Sequence, residues 1–269
     1  MGYNLAQTIQ TCEKVYMSLE LAVTSRGGHS SLPTPDNAIY RLAVGLAQLA
    51  GHQFPVRLND SVRLFMERMA RLEQVPALSA AMTRLAAPGP IDQPAADLVA
   101  GAAPYYNALL RTTVTATQIS GGHAENALPQ LARATLNCRL LPEDDPDEVQ
   151  RTIAAVLADP QIAIRRLAEP LPAPMSPLDP AVLGPVERIT NIMWSGVPVL
   201  PLLSAGATDG QALRHAGIPV YGVCGMFFDA DDNRCHASNE RVLVKSYFEG
   251  LQFMYMLMRE LGSAAPTAK

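Results

Sequence analysis

The stretch 14–24, KVYMSLELAVT, decides how this chain folds. Val15, Met17, Leu19 and Leu21 fall on one face at a period of two, the pattern of a strand with one buried side. Gly27-Gly28-His29-Ser30-Ser31 breaks that pattern, and Pro33 and Pro35 follow, with Thr34 or Asp36 available to cap a helix. Over residues 37–50, Ile39, Leu42, Ala43, Leu46 and Leu49 form a helical stripe.

Further along, residues 59–86 keep a helical period through Val62, Phe65, Met66, Met69 and Leu72. Pro88, Pro90 and Pro94 interrupt it, and a short helix is predicted around 95–102. The period then returns to two. Residues 112–119 are β-branched and alternating, 120–126 (SGGHAEN) read as a turn, and 131–141 form a second strand of a hairpin-like pair. Residues 142–146, PEDDP, open a helix with an acidic first turn, as the helix dipole favours, and Val149, Ile153, Val156 and Leu157 supply its buried face. A last strand is predicted at 162–167. The order is β-α-(helical insert)-β-β-α-β, which without the insert is the ferredoxin-like arrangement.

Residues 169–180, EPLPAPMSPLDP, hold five prolines in twelve positions and read as a semi-rigid linker. Beyond them the sequence predicts a helix at 181–194, a buried strand at 197–203, a short helix at 211–215 and a second buried strand at 218–223. The last helix, 244–261, carries Phe248, Leu251, Met254, Tyr255 and Met258 along one face. Continuous apolar strands alternating with helices argue for a parallel α/β sheet. The expected fold class is therefore α/β (α+β). Its expected divisions are an N-terminal remnant at 1–12, a lid at 13–168, the linker at 169–180 and an incomplete α/β segment at 181–269.

The chain has 269 residues, 48% of them hydrophobic and 17% charged, which are globular values. A net charge of -4 gives no support for nucleic-acid binding, and no apolar run is long enough to suggest a membrane span. Cys12, Cys138, Cys224 and Cys235 are scattered without finger spacing, the usage of reduced thiols in a cytoplasmic protein; a periplasmic setting fits only with a signal segment upstream.

Chemically capable residues concentrate in 204–241, which holds a small-residue loop with a carboxylate (Gly206, Thr208, Asp209) and His236 ahead of Asn239-Glu240-Arg241. With GGHSSLPTPDNAIYRLAVGLAQL (27–49) and NALPQLARATLNCRLLPEDDPDEV (126–149), this stretch resembles the zinc-dependent aminoacylase and carboxypeptidase family of metallopeptidases, the M20 peptidases. The resemblance implies a zinc-binding α/β catalytic domain and a ferredoxin-like lid that commonly mediates dimerisation. It implies that His29 is the lid histidine reaching toward the scissile carbonyl, often in a partner subunit. Asn126 and Arg139 would hold the substrate carbonyl and carboxylate, residues 206–209 would shape the pocket, and His236 would be a metal ligand.

Alternatives stand beside these roles. Asp209 can cap the helix that follows, Asn126 can make a turn, Arg139 can be a surface cation, and Ser30 and Ser31 can cap or line the lid. The family's His-x-Asp, bridging Asp and Glu-Glu motifs do not occur here. A single imidazole does not hold a catalytic zinc, which needs three protein ligands and a water. The expectation is a truncated member of the family, with hydrolysis not self-sufficient and no zinc bound by this chain alone. The expected partners are a second copy through the lid or a missing N-terminal half, and the expected substrate is a small peptide or N-acyl amino acid. Two other classes remain: a non-catalytic dimerisation module, and a metal-independent hydrolase using Ser30, Ser31 or Ser204. The second lacks a G-x-S-x-G elbow.

Overall fold

A computed structural model describes residues 4–229, 232, 234 and 237–263. In chain order the strands are β1 (Gln7–Glu13), β2 (Val15–Thr24), β3 (Gly28–His29), β4 (Thr113–Gly121), β5 (Ala127–Leu128), β6 (Leu131–Leu140), β7 (Ala163–Arg166) and β8 (Val199–Ser204). The helices are α1 (Ala38–Gly51), α2 (Asp60–Ala70), α3 (Pro76–Ala86), α4 (Gln93–Ala102), α5 (Pro104–Leu110), α6 (Pro146–Leu157), α7 (Pro180–Met193), α8 (Gly210–His215) and α9 (Val244–Ser263).

The lid is an antiparallel sheet in the order β4-β6-β2-β7, the ferredoxin-like order. The alternation in β2 does what its pattern predicts: Val15, Met17, Leu19, Leu21 and Val23 are buried with Leu136, Cys138 and Leu140 of β6 against Leu42 of α1 and Ile153 of α6. The opposite face of the sheet carries Tyr16, Asn137 and Arg139. Asn37, rather than Thr34 or Asp36, caps α1: its Oδ1 accepts from the Ile39 and Tyr40 amides at 2.9 and 3.2 Å.

A second unit is built on β1 and β8, which pair in parallel. Strand β1 begins inside the stretch 1–12 that the sequence sets apart as an N-terminal remnant. Its sequence, QTIQTCE, shows no period-two signal because Gln7, Thr11 and Glu13 are buried together with Ile9 and Cys12. Each face of the β1–β8 pair is covered. Helices α2–α5, the insert between the first two lid strands, pack against Cys12, Leu200 and Leu203. Helices α7 and α9 pack against Ile9 and Val199. The helical run expected at 59–86 is broken at 71–75, and Pro76 starts α3 at a first-turn position where its missing N–H costs nothing.

Two expectations for the C-terminal part change. Residues 218–223 are not a buried strand: Ile218 is 52% exposed, and the segment meets β1 only through a bridge between Gly222 and Gln10. Along α9, Phe248, Leu251, Tyr255 and Met258 are exposed and Met254 is half-buried, while Ser246, Gly250, Phe253 and Leu257 face the core. The reason is close backbone approach. A Cβ at position 250 would lie 3.0 Å from the Cys224 carbonyl oxygen, and one at Gly225 would lie 2.5 Å from Phe253 Cβ. Small residues, not the apolar stripe, set which face docks. No helix among the described residues is long and apolar enough to cross a membrane.

The proline-rich linker is pinned to the second unit. Ser176 N donates to Thr11 O (2.9 Å), Gln211 Nε2 to Leu171 O (2.7 Å) and Tyr221 Oη to Pro177 O (2.7 Å).

Candidate active-site wall

One group of site residues lies at the far end of the lid. Beyond Thr24, Gly27 and Gly28 take positive φ (73° and 146°) and turn the chain into the two-residue strand β3, which pairs with β5 so that His29 stands opposite Ala127. The Ser30 amide donates to Asn126 O at 3.0 Å. His29 and Asn126, nearly a hundred positions apart in the chain, are thus fixed side by side. His29 is exposed. The Ser31 amide donates to its Nδ1 at 3.2 Å and Ser31 Oγ lies 2.7 Å from the same atom. An amide N–H can only donate, so Nδ1 is the acceptor and the ring proton sits on Nε2. His29 therefore offers a fixed N–H donor to solvent. The Ser31–His29 contact is the nearest approach to a nucleophile–base pair in this loop. It joins residues two apart, and the base has no orienting carboxylate on Nε2 among the described residues.

A second group lies at the junction of lid and second unit. Glu13 ends β1, Ser204 ends β8, and the two are register partners. Lys14 N donates to Ser204 O at 2.9 Å, and β2 starts at the next residue. Both parallel strands therefore run out toward residues 205–209, the place where ligands bind in α/β sheets. Gly206 N donates to Ser204 Oγ at 3.2 Å and Gln211 N to Thr208 O at 3.1 Å. Asp209 is exposed and makes no side-chain cap bond to α8, so capping does not account for its carboxylate. Arg139, on β6 opposite Tyr16 and Thr113, projects from the outer lid face near this junction. Its guanidinium carbon lies 4.7 Å over the Tyr16 ring, and Nε donates to Asn137 Oδ1 at 3.1 Å. The terminal nitrogens have no carboxylate partner among the described residues, leaving the two-pronged edge open for one.

The structure thus sets His29 beside Asn126 at one end of the lid sheet, and it places Arg139 at the other end, beside Tyr16 and Thr113 next to the Lys14 crossing. From Leu131 to Arg139 the β6 backbone spans on the order of 25 Å. His236 lies outside the described residues. Asp232 is tied to Arg234 and, through Oδ2, to Arg241 at 2.6 and 3.0 Å; its hydrogen bonds to these arginines hold its carboxyl below the usual range. Among the described residues no three His, Cys, Asp or Glu side chains gather as a metal site. The residues described here do not fit a zinc.

Buried charged residues at the junction, Glu13, Lys14 and Arg214 among them, carried no signal in the sequence. Lys14 Nζ donates to Arg111 O at 2.6 Å and lies 3.4 Å from Thr113 Oγ1. Burial lowers its pKa to about 7, with Arg139 adding to the effect and Asp144 opposing it. Arg214 Nη2 meets Glu13 Oε1 at 2.5 Å.

A family profile described as a peptidase dimerisation domain matches residues 12–164. The probable carboxypeptidase S-like 2 of Dictyostelium discoideum is 26% identical over 249 residues, covering 92% of this chain and 47% of its own length. The N-fatty-acyl-amino acid synthase/hydrolase PM20D1 of Xenopus tropicalis is 28% identical over 254 residues, covering 93% of this chain and 49% of its own. The chain spans about half the length of the curated relatives it matches. Among solved structures, the M20 family metallo-carboxypeptidase Sso-CP2 of Sulfolobus solfataricus superposes with a TM-score of 0.63 at 17% identity, over 95% of this chain and 60% of that one. A tripeptidase of Staphylococcus aureus gives 0.58 at 13% identity, over 98% and 56%. With more than half its residues under the dimerisation-domain profile, the chain belongs to the M20 peptidase family.

Proposed function

We propose that this chain supplies the lid and one wall of the active site of an M20-type amidohydrolase, which cleaves a peptide or N-acyl amide bond next to a carboxylate. Arg139 receives the substrate carboxylate, residues 206–209 line the pocket with backbone groups, and His29 Nε2–H with the Asn126 amide stabilises the oxyanion that develops on the scissile carbonyl. The observation that carries this is the division of the recognition residues between two ends of one sheet. It fits a homodimer in which His29 and Asn126 of one copy complete the wall of the other. The zinc and the general base are assigned to residues outside the described ones, supplied by a further segment or polypeptide. Buried thiols at Cys12 and Cys138 suit a reducing, cytoplasmic setting.

Metal analysis and turnover assays on N-acyl amino acids test the assignment of zinc. The chain alone is expected to hold no stoichiometric zinc and to turn nothing over; stoichiometric zinc with chelator-sensitive activity overturns it. Calorimetry with an N-acyl amino acid tests the wall: binding is expected, and Arg139→Ala should abolish it.

A second reading, a dimerising module without catalysis, is favoured by β4. It is the terminal strand of the lid sheet, exposed over most of its length, and Tyr40 and Val44 of α1 are 71% and 60% exposed. A dimer by light scattering that binds no acyl amino acid would leave this as the function. Val44→Glu should make the protein monomeric under either reading.

A further inference from the structure

Residues 218–223 would complete the β1–β8 sheet if they formed a ladder, but only Gly222 bridges to Gln10. Other contacts hold this segment, and they converge on one side chain. Arg214, the fifth residue of α8, is 2% exposed and Glu13 is 1% exposed. Arg214 Nη2 bonds Glu13 Oε1 at 2.5 Å and Nη1 bonds Val220 O at 3.0 Å. Both terminal nitrogens lie 3.3 Å from where a Cβ on Gly210 would stand, so the guanidinium runs directly beneath the residue that follows Asp209. Ser176 Oγ joins the same point, donating to Val220 O at 2.8 Å and accepting from Val220 N at 2.9 Å.

We propose that Arg214 is a positioning residue: forked between the Glu13 carboxylate and the Val220 carbonyl, it fixes residues 206–220 over the carboxyl ends of β1 and β8. The pair is poorly explained as a source of stability. Glu13 Oε2 and Arg214 Nε are buried without a hydrogen-bond partner among the described residues. A buried ion pair that leaves such atoms unmet is often no more stable than apolar side chains of similar volume. A planar two-pronged donor supplies direction, which apolar packing does not. Glu13 is also bound to the junction through its neighbour, since Lys14 N donates to Ser204 O. The fork therefore references α8 and the loop before it to the same strand end that launches the lid.

The importance of this positioning rests on residues 206–209 being a substrate wall, but the test does not. Hydrogen exchange is measured on the full chain without ligand, for Glu13→Gln/Arg214→Met and for Arg214→Lys. The double variant removes both charges together and is expected to melt near the parent. Its amides over 206–220 should exchange about tenfold faster or more, while those of β6 stay unchanged. Arg214→Lys keeps a charge for Glu13 but loses the second prong, and should speed exchange most at 218–220. Parent-like exchange over 206–220 in both variants overturns the proposal. Faster exchange in a protein that binds no acyl amino acid would instead count against the proposed function and leave the positioning role standing.

Discussion

Replacing Lys14 by Met should change the way stability depends on pH. Lys14 is wholly buried where the chain crosses from β1 to β2, and burial is the largest cause that takes its pKa from 10.5 down to about 7. Between those two values the unfolded chain holds a proton that the folded chain has lost. Stability therefore rises with pH through this window, and the full cost of burying the ammonium is felt below it. The slope is ~1.4 kcal/mol per pH unit, so from about pH 7 to about pH 9.5 the parent should gain on the order of 3 kcal/mol. Lys14→Met has no such slope. It gives up the donor to Arg111 O, worth about 1 kcal/mol, and leaves that carbonyl unmet. The variant should thus be the more stable protein at about pH 6.5 and the less stable at about pH 9.5. Urea denaturation at several pH values measures this, and taking the difference between the two proteins cancels the tyrosines and thiols they share. A difference that stays constant within about 0.5 kcal/mol over the range would refute the burial argument.

Gly27→Ala should cost roughly 1–3 kcal/mol in thermal melting and loosen the β3–β5 pairing, because Gly27 has φ 73° and a Cβ there would lie 2.6 Å from Gln130 Cγ. Ala158→Gly should stabilise by about 0.5–1 kcal/mol, since Ala158 closes α6 in the left-handed region at φ 52°, where glycine has no penalty. In timed alkylation read by mass spectrometry at about pH 8, Cys224 should react well before Cys12 and Cys138. Cys224 is exposed, whereas burial pushes the other two thiols up to about 12.

The lid was legible because its sheet buries one face. In β2 each inward residue is apolar and each neighbour is free to be Tyr16, Ser18 or Glu20, so the period is written in the sequence. The second unit was not legible in the same way. Strand β1 is covered by helices on both faces and buries Gln7, Thr11, Glu13 and Ile9 alike, so alternation vanishes and the strand hides. In α9 the apolar stripe at 248, 251, 255 and 258 was a misleading signal, because docking is set by Gly225 and Gly250, where the backbones approach. For the proposed site, it is the family resemblance that singles out His29, Asn126 and Arg139. Their placement depends on a two-residue ladder and on strand register across more than a hundred positions, neither of which leaves a local trace.

That placement leads to the most discriminating experiment. If Arg139 and His29 act on one substrate, a sheet about 25 Å long prevents them from doing so within one copy. A site shared between copies has a signature that a single-chain site lacks. His29→Ala and Arg139→Ala each remove one member from every site, so each variant dimer should fail to bind an N-acyl amino acid. In a mixed dimer, the Arg139 of one copy meets the His29 of the other, and one site of the two regains both. Random mixing in equal amounts makes half the dimers mixed, so about a quarter of the parent's sites should return. Calorimetric stoichiometry after denaturing and refolding the two variants together reads that fraction. A mixture that binds no better than either variant alone would place both residues in the service of a single copy, and the division of the recognition set across two copies would be wrong.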